Sequence, residues 1–216
     1  MVASIDPYVR VATLKMVTLS EEVIRRLIHP YVGDAYPAEL CSQLSSYLDL
    51  LLKWNARTNL TAIREPEEIV TRHFGESLFV GRNLGECDTL LDFGSGAGFP
   101  GLPIQLLRPD VAVTLAESQN KKATFLREAV RQFGLKTEVW GSRVESMLPE
   151  RQFEVVTMRA VDNMEEAQMV ALSRILPGGR LFTLGSAPDS TRTGLQLPLP
   201  NSRQKVLCID TVPRGT

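Results

Sequence analysis

Three kinds of residue in this chain stand where chemistry is done. They are two acids, Asp92 and Glu117, a glycine cluster, Gly94, Gly96 and Gly98, and an arginine, Arg159, that closes an apolar run. Asp92 lies in Leu90-Leu91-Asp92-Phe93-Gly94-Ser95-Gly96-Ala97-Gly98-Phe99-Pro100-Gly101, which reads as a buried strand, a glycine turn and a helix start. The glycines admit positive φ and let a ligand approach bare backbone, and the helix start offers unpaired N–H groups. Gly96 to Gly101 also spells the dinucleotide fingerprint, but two residues deeper into the turn than the strand end suggests. An anion at the strand tip repels a diphosphate and attracts the ammonium and sulfonium groups of S-adenosylmethionine. The charge of Asp92 therefore favours the methyl donor, with an NAD-dependent oxidoreductase as the enzyme rival. Glu117 ends the next strand about 25 residues later, where a carboxylate accepts from both ribose hydroxyls.

Val144 and Glu145 follow the third strand, at the adenine edge of such a sheet or in a loop that caps a helix. Arg159 ends the fourth strand, Val155-Val156-Thr157-Met158-Arg159. A planar, permanently charged donor there pairs with a carboxylate, contacts the methionine part of the donor, or orients a base. His73, between Arg72 and Phe74 on an expected helix, is a packing residue or an RNA contact. No His, Cys or carboxylate set has ligand spacing, so no metal is expected. Neither a G-x-S-x-G elbow nor a cysteine in a nucleophilic context occurs.

The elements that must position these residues alternate. Strands are expected near 89–93, 111–117, 137–141, 153–158, 180–185 and 205–210, with helices near 100–108, 119–133 and 163–176. That order means an α/β, Rossmann-like, mostly parallel sheet covered on both faces, with ligands beyond the carboxyl ends of the strands. Before it lie three amphipathic helices. The first is capped by Thr18 with Glu21 and ended by Pro30 and Gly33, the second starts at Pro37 and breaks at Asn55–Asn59, and the third starts at Pro66. The expected division is a loose extension over 1–17, a helical subdomain over 18–82 and a methyltransferase domain over 83–216. Residues 188–201 read as a loop.

The 216 residues are 44% hydrophobic and 23% charged, as in a soluble globular protein of one domain with an appendage. Three scattered cysteines, no apolar run of membrane length and no signal-peptide pattern lead to the expectation of a cytoplasmic, membrane-free protein. A net charge of −1 carries no argument for nucleic acid, but Lys121, Lys122, Arg127, Arg131, Lys136 and Arg143 cluster against only Glu128 and Glu138. That excess either tracks a phosphate backbone or is a solvated helix face.

Trp54-Asn55-Ala56-Arg57-Thr58-Asn59-Leu60-Thr61, Arg72-His73, Asp92 to Gly101, Ser142-Arg143-Val144-Glu145 and Arg159-Ala160 occur in that order. Together they resemble the RsmG (GidB) family, bacterial guanine-N7 methyltransferases of 16S ribosomal RNA, over about Leu19 to Leu184. The resemblance implies a seven-stranded methyltransferase sheet behind an N-terminal helical lid, with S-adenosylmethionine as donor. It implies that Gly94, Phe99, Val144, Glu145 and Arg159 touch the donor, with Asp92, Gly96 and Glu117 beside them. It implies as target a guanosine in the decoding-region loop of 16S rRNA. The expected partner is that RNA, free or in the small ribosomal subunit, with Arg72, His73, Lys121 and Lys122 as the expected RNA contacts and a monomer as the expected form.

Chemistry narrows the acceptor independently. Neither the Asn/Asp-Pro-Pro-aromatic signature of exocyclic-amine methylation nor the Pro-Cys of pyrimidine-carbon methylation occurs. Guanine N7 has a free lone pair and loses no proton, so Arg159 is expected to position rather than to act as a base. Three features depart from the family pattern. No lysine stands near Leu184-Gly185-Ser186, the stretch from Ser186 to Leu195 is short, and Gly75-Glu76 replaces an apolar-Asp pair. The first two bear on RNA docking and leave a non-catalytic RNA or ribosome-assembly factor as the other alternative.

Overall fold

The computed structural model describes residues 19–160, 164–186, 194–202 and 204–214. The extension expected over 1–17 and the cap expected at Thr18 lie outside them. Helix α1, Glu21–Val32, is instead capped by Ser20, whose hydroxyl accepts the Val23 N–H at 3.3 Å. Pro30 sits inside this helix rather than ending it. Gly33 terminates it, donating its N–H to the His29 carbonyl at 2.8 Å.

Helix α2, Leu40–Thr58, starts three residues after Pro37, whose carbonyl accepts the Leu40 N–H. It also runs through the expected break to a left-handed Asn59. The side chain of Asn55 bonds the backbone of Thr61, outside the helix, and so does not compete with the helical ladder. Helix α3, Pro66–Glu68, passes through a π-helical segment, Ile69–Gly75, into α4, Glu76–Arg82, as one unbroken run. Wide turns of this kind are frequent at functional sites.

The sheet follows: β1 Thr89–Phe93, α5 Gly101–Leu107, β2 Ala112–Ala116, α6 Asn120–Gln132, β3 Glu138–Trp140, a 3-10 turn Val144–Ser146, β4 Phe153–Arg159, α7 Met164–Ser173, β5 Ile175–Ser186, β6 Leu195–Pro198 and β7 Lys205–Thr211. Its seven strands lie in the order β3-β2-β1-β4-β5-β7-β6, parallel up to β5 and antiparallel at β5–β7 and β7–β6. Two expectations are corrected. The helix expected to reach residue 176 stops at Ser173, because the Arg174 carbonyl accepts the Phe153 N–H and Ile175 joins the sheet. Within the expected loop, 195–198 forms β6, an edge strand that tolerates Pro198 at its end; 187–193 lie outside the described residues.

Strand periodicity splits the core. Leu90 and Val155 face one cluster with Ile24, Leu44, Tyr47 and Phe74 of the helical segment, while Leu91 and Val156 face another with Met158 and Ala171. The helical segment therefore shares a core with the sheet. Tyr47 joins the two: its ring stacks on Phe74 and Phe99, and its hydroxyl donates a short bond to the Ala97 carbonyl in the glycine turn. No described helix is long and apolar enough to cross a membrane.

Replacing Tyr47 by Phe leaves a buried carbonyl unpaired and should cost about 1–3 kcal/mol. Urea unfolding measures this, and equal midpoints would show that the bond does not tie the segment to the turn.

Candidate active site

The carboxyl ends of β1, β2 and β4 open into a cavity of about 500 Å³, within the usual size range of small-molecule sites. Gly94, Gly96, Phe99 and Glu117 line it, as do Val144, Glu145 and Arg159. Thus seven of the eight residues expected around the donor share one cavity. Asp92 does not. It is fully buried, with one carboxylate oxygen accepting the Gly101 N–H at 3.0 Å and the other the Thr157 hydroxyl at 2.9 Å. On a strand, Asp92 shares the face of Leu90, and that face is covered by α5. Burial raises its pKa from 3.8 to about 6. The expected attraction between Asp92 and a cationic ligand is therefore replaced by a structural role. Gly101 has to be a glycine here, because a Cβ would collide with the Leu115 side chain and lie 2.7 Å from Asp92 Oδ2.

The anion presented to the cavity is Glu117. Its two oxygens accept the Gly96 N–H at 2.9 Å and the Gln119 N–H at 2.7 Å, and Gly96 holds φ at 58° to direct that bond. Each carboxylate oxygen keeps a second lone pair, enough for two vicinal hydroxyls. Glu145, Glu166, Lys122 and Arg143 also stand on the walls.

Arg159 closes the far side. Its Nη2 donates to the Arg72 carbonyl at 3.0 Å, lies 3.1 Å from His73 Nδ1 and pairs with Glu76 Oε2 at 3.1 Å. Glu76 is itself buried and takes the Lys205 ammonium at 2.6 Å on its other oxygen. Nη1 of Arg159 is buried with no hydrogen-bond partner. A ligand acceptor placed there would relieve about 1–3 kcal/mol. The next residue, Ala160, holds a left-handed φ of 47°, which costs about 1–3 kcal/mol in a residue with a side chain.

His73 lies inside the cleft, stacked on Phe99 at 4.6 Å with Nε2 2.7 Å from the Thr61 hydroxyl, so it is wall rather than outer surface. Burial, then the Arg159 charge, lowers its pKa from 6.5 to about 3. The Arg72 guanidinium pairs with Glu68 at 2.7 Å. Lys122 reaches the cavity and Lys121 is exposed beside it on α6. Sequence reasoning missed Thr61, Thr157 and Lys205. It quoted Glu76 only as a departure from a pattern. The Thr157 and Lys205 contacts join residues 65 and 129 apart, which no local pattern records, while Thr61 lies only 12 residues from His73 and was quoted in a motif without a role. Among the described residues no group of three or more His, Cys, Asp or Glu could hold a metal ion.

The His73 pKa fixes a pH dependence. Between pH 3 and 6.5 the unfolded chain binds a proton at His73 that the folded chain does not, so stability falls as pH drops through that range. Relative to His73→Gln, the wild type should lose about 2 kcal/mol between pH 7 and pH 5. Urea unfolding at both pH values tests this; parallel changes in the two proteins would refute the assignment.

The profile of the family described as rRNA small subunit methyltransferase G matches residues 40–192. The ribosomal RNA small subunit methyltransferase G of Nitrosomonas europaea is 43% identical over 144 residues, 66% of each chain. That of Xanthomonas euvesicatoria pv. vesicatoria is 37% identical over 167 residues, 77% of this chain and 78% of the relative. The chain thus spans about two thirds to three quarters of the length of these relatives. Among solved structures, a SAM-dependent methyltransferase from Aquifex aeolicus is similar with a TM-score of 0.55 at 16% identity, over 72% of this chain and 97% of that one. TYW2 of P. horikoshii, crystallised in complex with MeSAdo, gives 0.53 at 14%, over 67% and 63%. These two likenesses establish the fold, a methyltransferase sheet. The profile and the relatives go further: the chain belongs to the rRNA small subunit methyltransferase G family.

Proposed function

We propose that this chain transfers the methyl group of S-adenosylmethionine to N7 of a guanosine in the decoding-region loop of 16S rRNA, in the cytoplasm. The observation that carries the acceptor atom is the state of His73, the one imidazole on the cavity wall. It is neutral and both its ring nitrogens are engaged, by Arg159 and by Thr61. A site whose imidazole is occupied in this way suits an acceptor that gives up no proton.

The walls fit the donor. Glu117 offers lone pairs to ribose hydroxyls, Val144 and Glu145 on the wall suit an adenine edge, and the unpartnered Nη1 of Arg159 suits the donor's carboxylate. Bound there, S-adenosylmethionine supplies an electrophilic methyl carbon on a sulfonium leaving group. N7 forms the new bond to carbon, the carbon–sulfur pair leaves with sulfur, and no proton moves. The contribution of the chain is alignment and electrostatics. In a division into 18–82 and 83–216, the described part of the first supplies Thr61 and His73 as a roof while sharing one hydrophobic core with the second. Lys121 and Lys122, on the first turn of α6 at the cavity mouth, suit RNA phosphates. A guanosine in a loop meets such a cleft without a duplex being opened.

Incubating the protein with S-adenosylmethionine and small-subunit RNA, then mapping modified nucleotides by mass spectrometry, should yield one N7-methylguanosine. Tight RNA binding with no transfer would favour an assembly factor instead. Changing both Lys121 and Lys122 to Ala should raise the KM for RNA and flatten the log KM against log salt slope by about 1.4, measured at saturating S-adenosylmethionine because Lys122 also lines the donor cavity. An unaltered slope would take these lysines off the RNA path. Arg159→Lys keeps a cation for Glu76 but not the planar fork. It should lose at least about tenfold in kcat/KM in the same assay while staying folded; full activity would remove Arg159 from alignment.

A further inference from the structure

The Thr61 hydroxyl is the end of a hydrogen-bond chain whose direction is fixed. A guanidinium has no lone pair to offer, so in the contact between Arg159 Nη2 and His73 Nδ1 the ring nitrogen accepts. The single ring proton of the neutral imidazole is then on Nε2, and it points to Thr61 Oγ1 at 2.7 Å. The same oxygen accepts the Ile63 N–H at 3.2 Å. Both acceptor directions of the hydroxyl are filled, so it has only its proton to give. None of the described residues accepts that proton, and Thr61 lines the cavity.

Nothing in the chain is loose. Glu76 and the Arg72 carbonyl hold Arg159, and Phe99 stacks under His73. Asn55, itself buried, grips the backbone of Thr61 through two bonds of 3.0 Å, one in each direction. An ordinary threonine hydroxyl rotates to donate or accept as its partner requires. This one has lost that choice.

We infer that the Thr61 hydroxyl reads the acceptor base, donating its proton to O6 of the guanine whose N7 receives the methyl group. N7 and O6 lie on one edge of guanine and both accept; adenine carries an amino donor in place of O6. A donor of fixed polarity accepts guanine and meets adenine donor to donor. This specificity role rests on the guanine-N7 reading above and goes beyond it. Glu76, Arg159 and His73 act through Thr61 as positioning residues.

The test uses RNA carrying guanine, 2-aminopurine or adenine at the methylated position; 2-aminopurine keeps N7 and lacks O6. Wild type should prefer guanine to 2-aminopurine by about 10- to 100-fold in kcat/KM. Thr61→Val should lower kcat/KM on guanine by a similar factor and bring the ratio of guanine to 2-aminopurine close to one. Thr61→Ser should stay within a few-fold of wild type in both. Rates taken at saturating S-adenosylmethionine, with its affinity measured by calorimetric titration in each variant, separate base reading from donor binding. An undiminished guanine preference in Thr61→Val overturns the inference and leaves the N7 reading standing. Absence of N7-methylguanosine with wild type overturns the N7 reading first. Should Thr61→Val not fold, Thr61→Ala takes its place and must likewise bring the ratio close to one, while equal rates of wild type on guanine and 2-aminopurine would exclude any reading of O6.

Discussion

A fully buried carboxylate ties the centre of this molecule together. Asp92 sits at the tip of β1 and reaches the first N–H of α5 and the hydroxyl of Thr157 on β4. Those two bonds set how far the helix stands from the strand ends and hold the tips of β1 and β4 together. The turn between them then places Gly96 against Glu117 and Ala97 against Tyr47. Burial works against the charge, as the raised pKa of Asp92 records, and the site keeps it because each oxygen finds a donor. Asp92 thus shapes a cavity that it never touches.

How much of this was legible follows from what a sequence records. Apolar runs and a glycine cluster record local geometry, so five of the expected strands fall within two residues of the observed ones, and the turn falls where expected. Glu117 and Arg159 were legible because a charged residue ending an apolar run has the strand tip as its place. The use of Asp92 was misjudged because the reading considered its charge and not its face. Alternation along β1 puts Asp92 with Leu90 under α5, and only Phe93 and the turn after it border the cavity. The end of α2 was misplaced because the Asn55 side chain bonds the backbone of Thr61, six residues on, rather than its own helix. The first part of β5 was taken for helix because Ile175 and Leu176 continue the apolar pattern of α7 without a break.

The cleft itself has two origins. The sheet supplies the turn, Glu117 and Arg159, and the helical segment supplies Thr61 and His73. They meet where the π-helical segment displaces Arg72 and His73 by the extra residue of its wide turn. Gly75, at the end of that segment, lies so close to the ring of Tyr31 that an added Cβ would be 2.6 Å from it. Packing of α1 therefore bears directly on where His73 points. A cleft divided between two parts of the chain needs a joint, and a shared hydrophobic core with one stacked aromatic cluster provides it.

The lysine absent near Gly185 is best understood from register. Ser186, at the end of β5, pairs with Lys205 at the start of the antiparallel β7, and the Lys205 ammonium reaches Glu76. A cation therefore arrives beside Arg159 from the neighbouring strand. Glu76, one methylene longer than the aspartate of the family pattern, spans both cations with its two oxygens. Two cations around one buried carboxylate leave a net positive charge behind the cleft, which adds to burial, the larger cause, in keeping His73 neutral. Arg159, donating into Nδ1 of that neutral ring, leaves the ring proton on Nε2 and so fixes the direction of the bond to Thr61. Glu76, held by Lys205 on its other oxygen, anchors that guanidinium, so the ion pairs at the base of the cleft set a hydrogen-bond polarity at its surface.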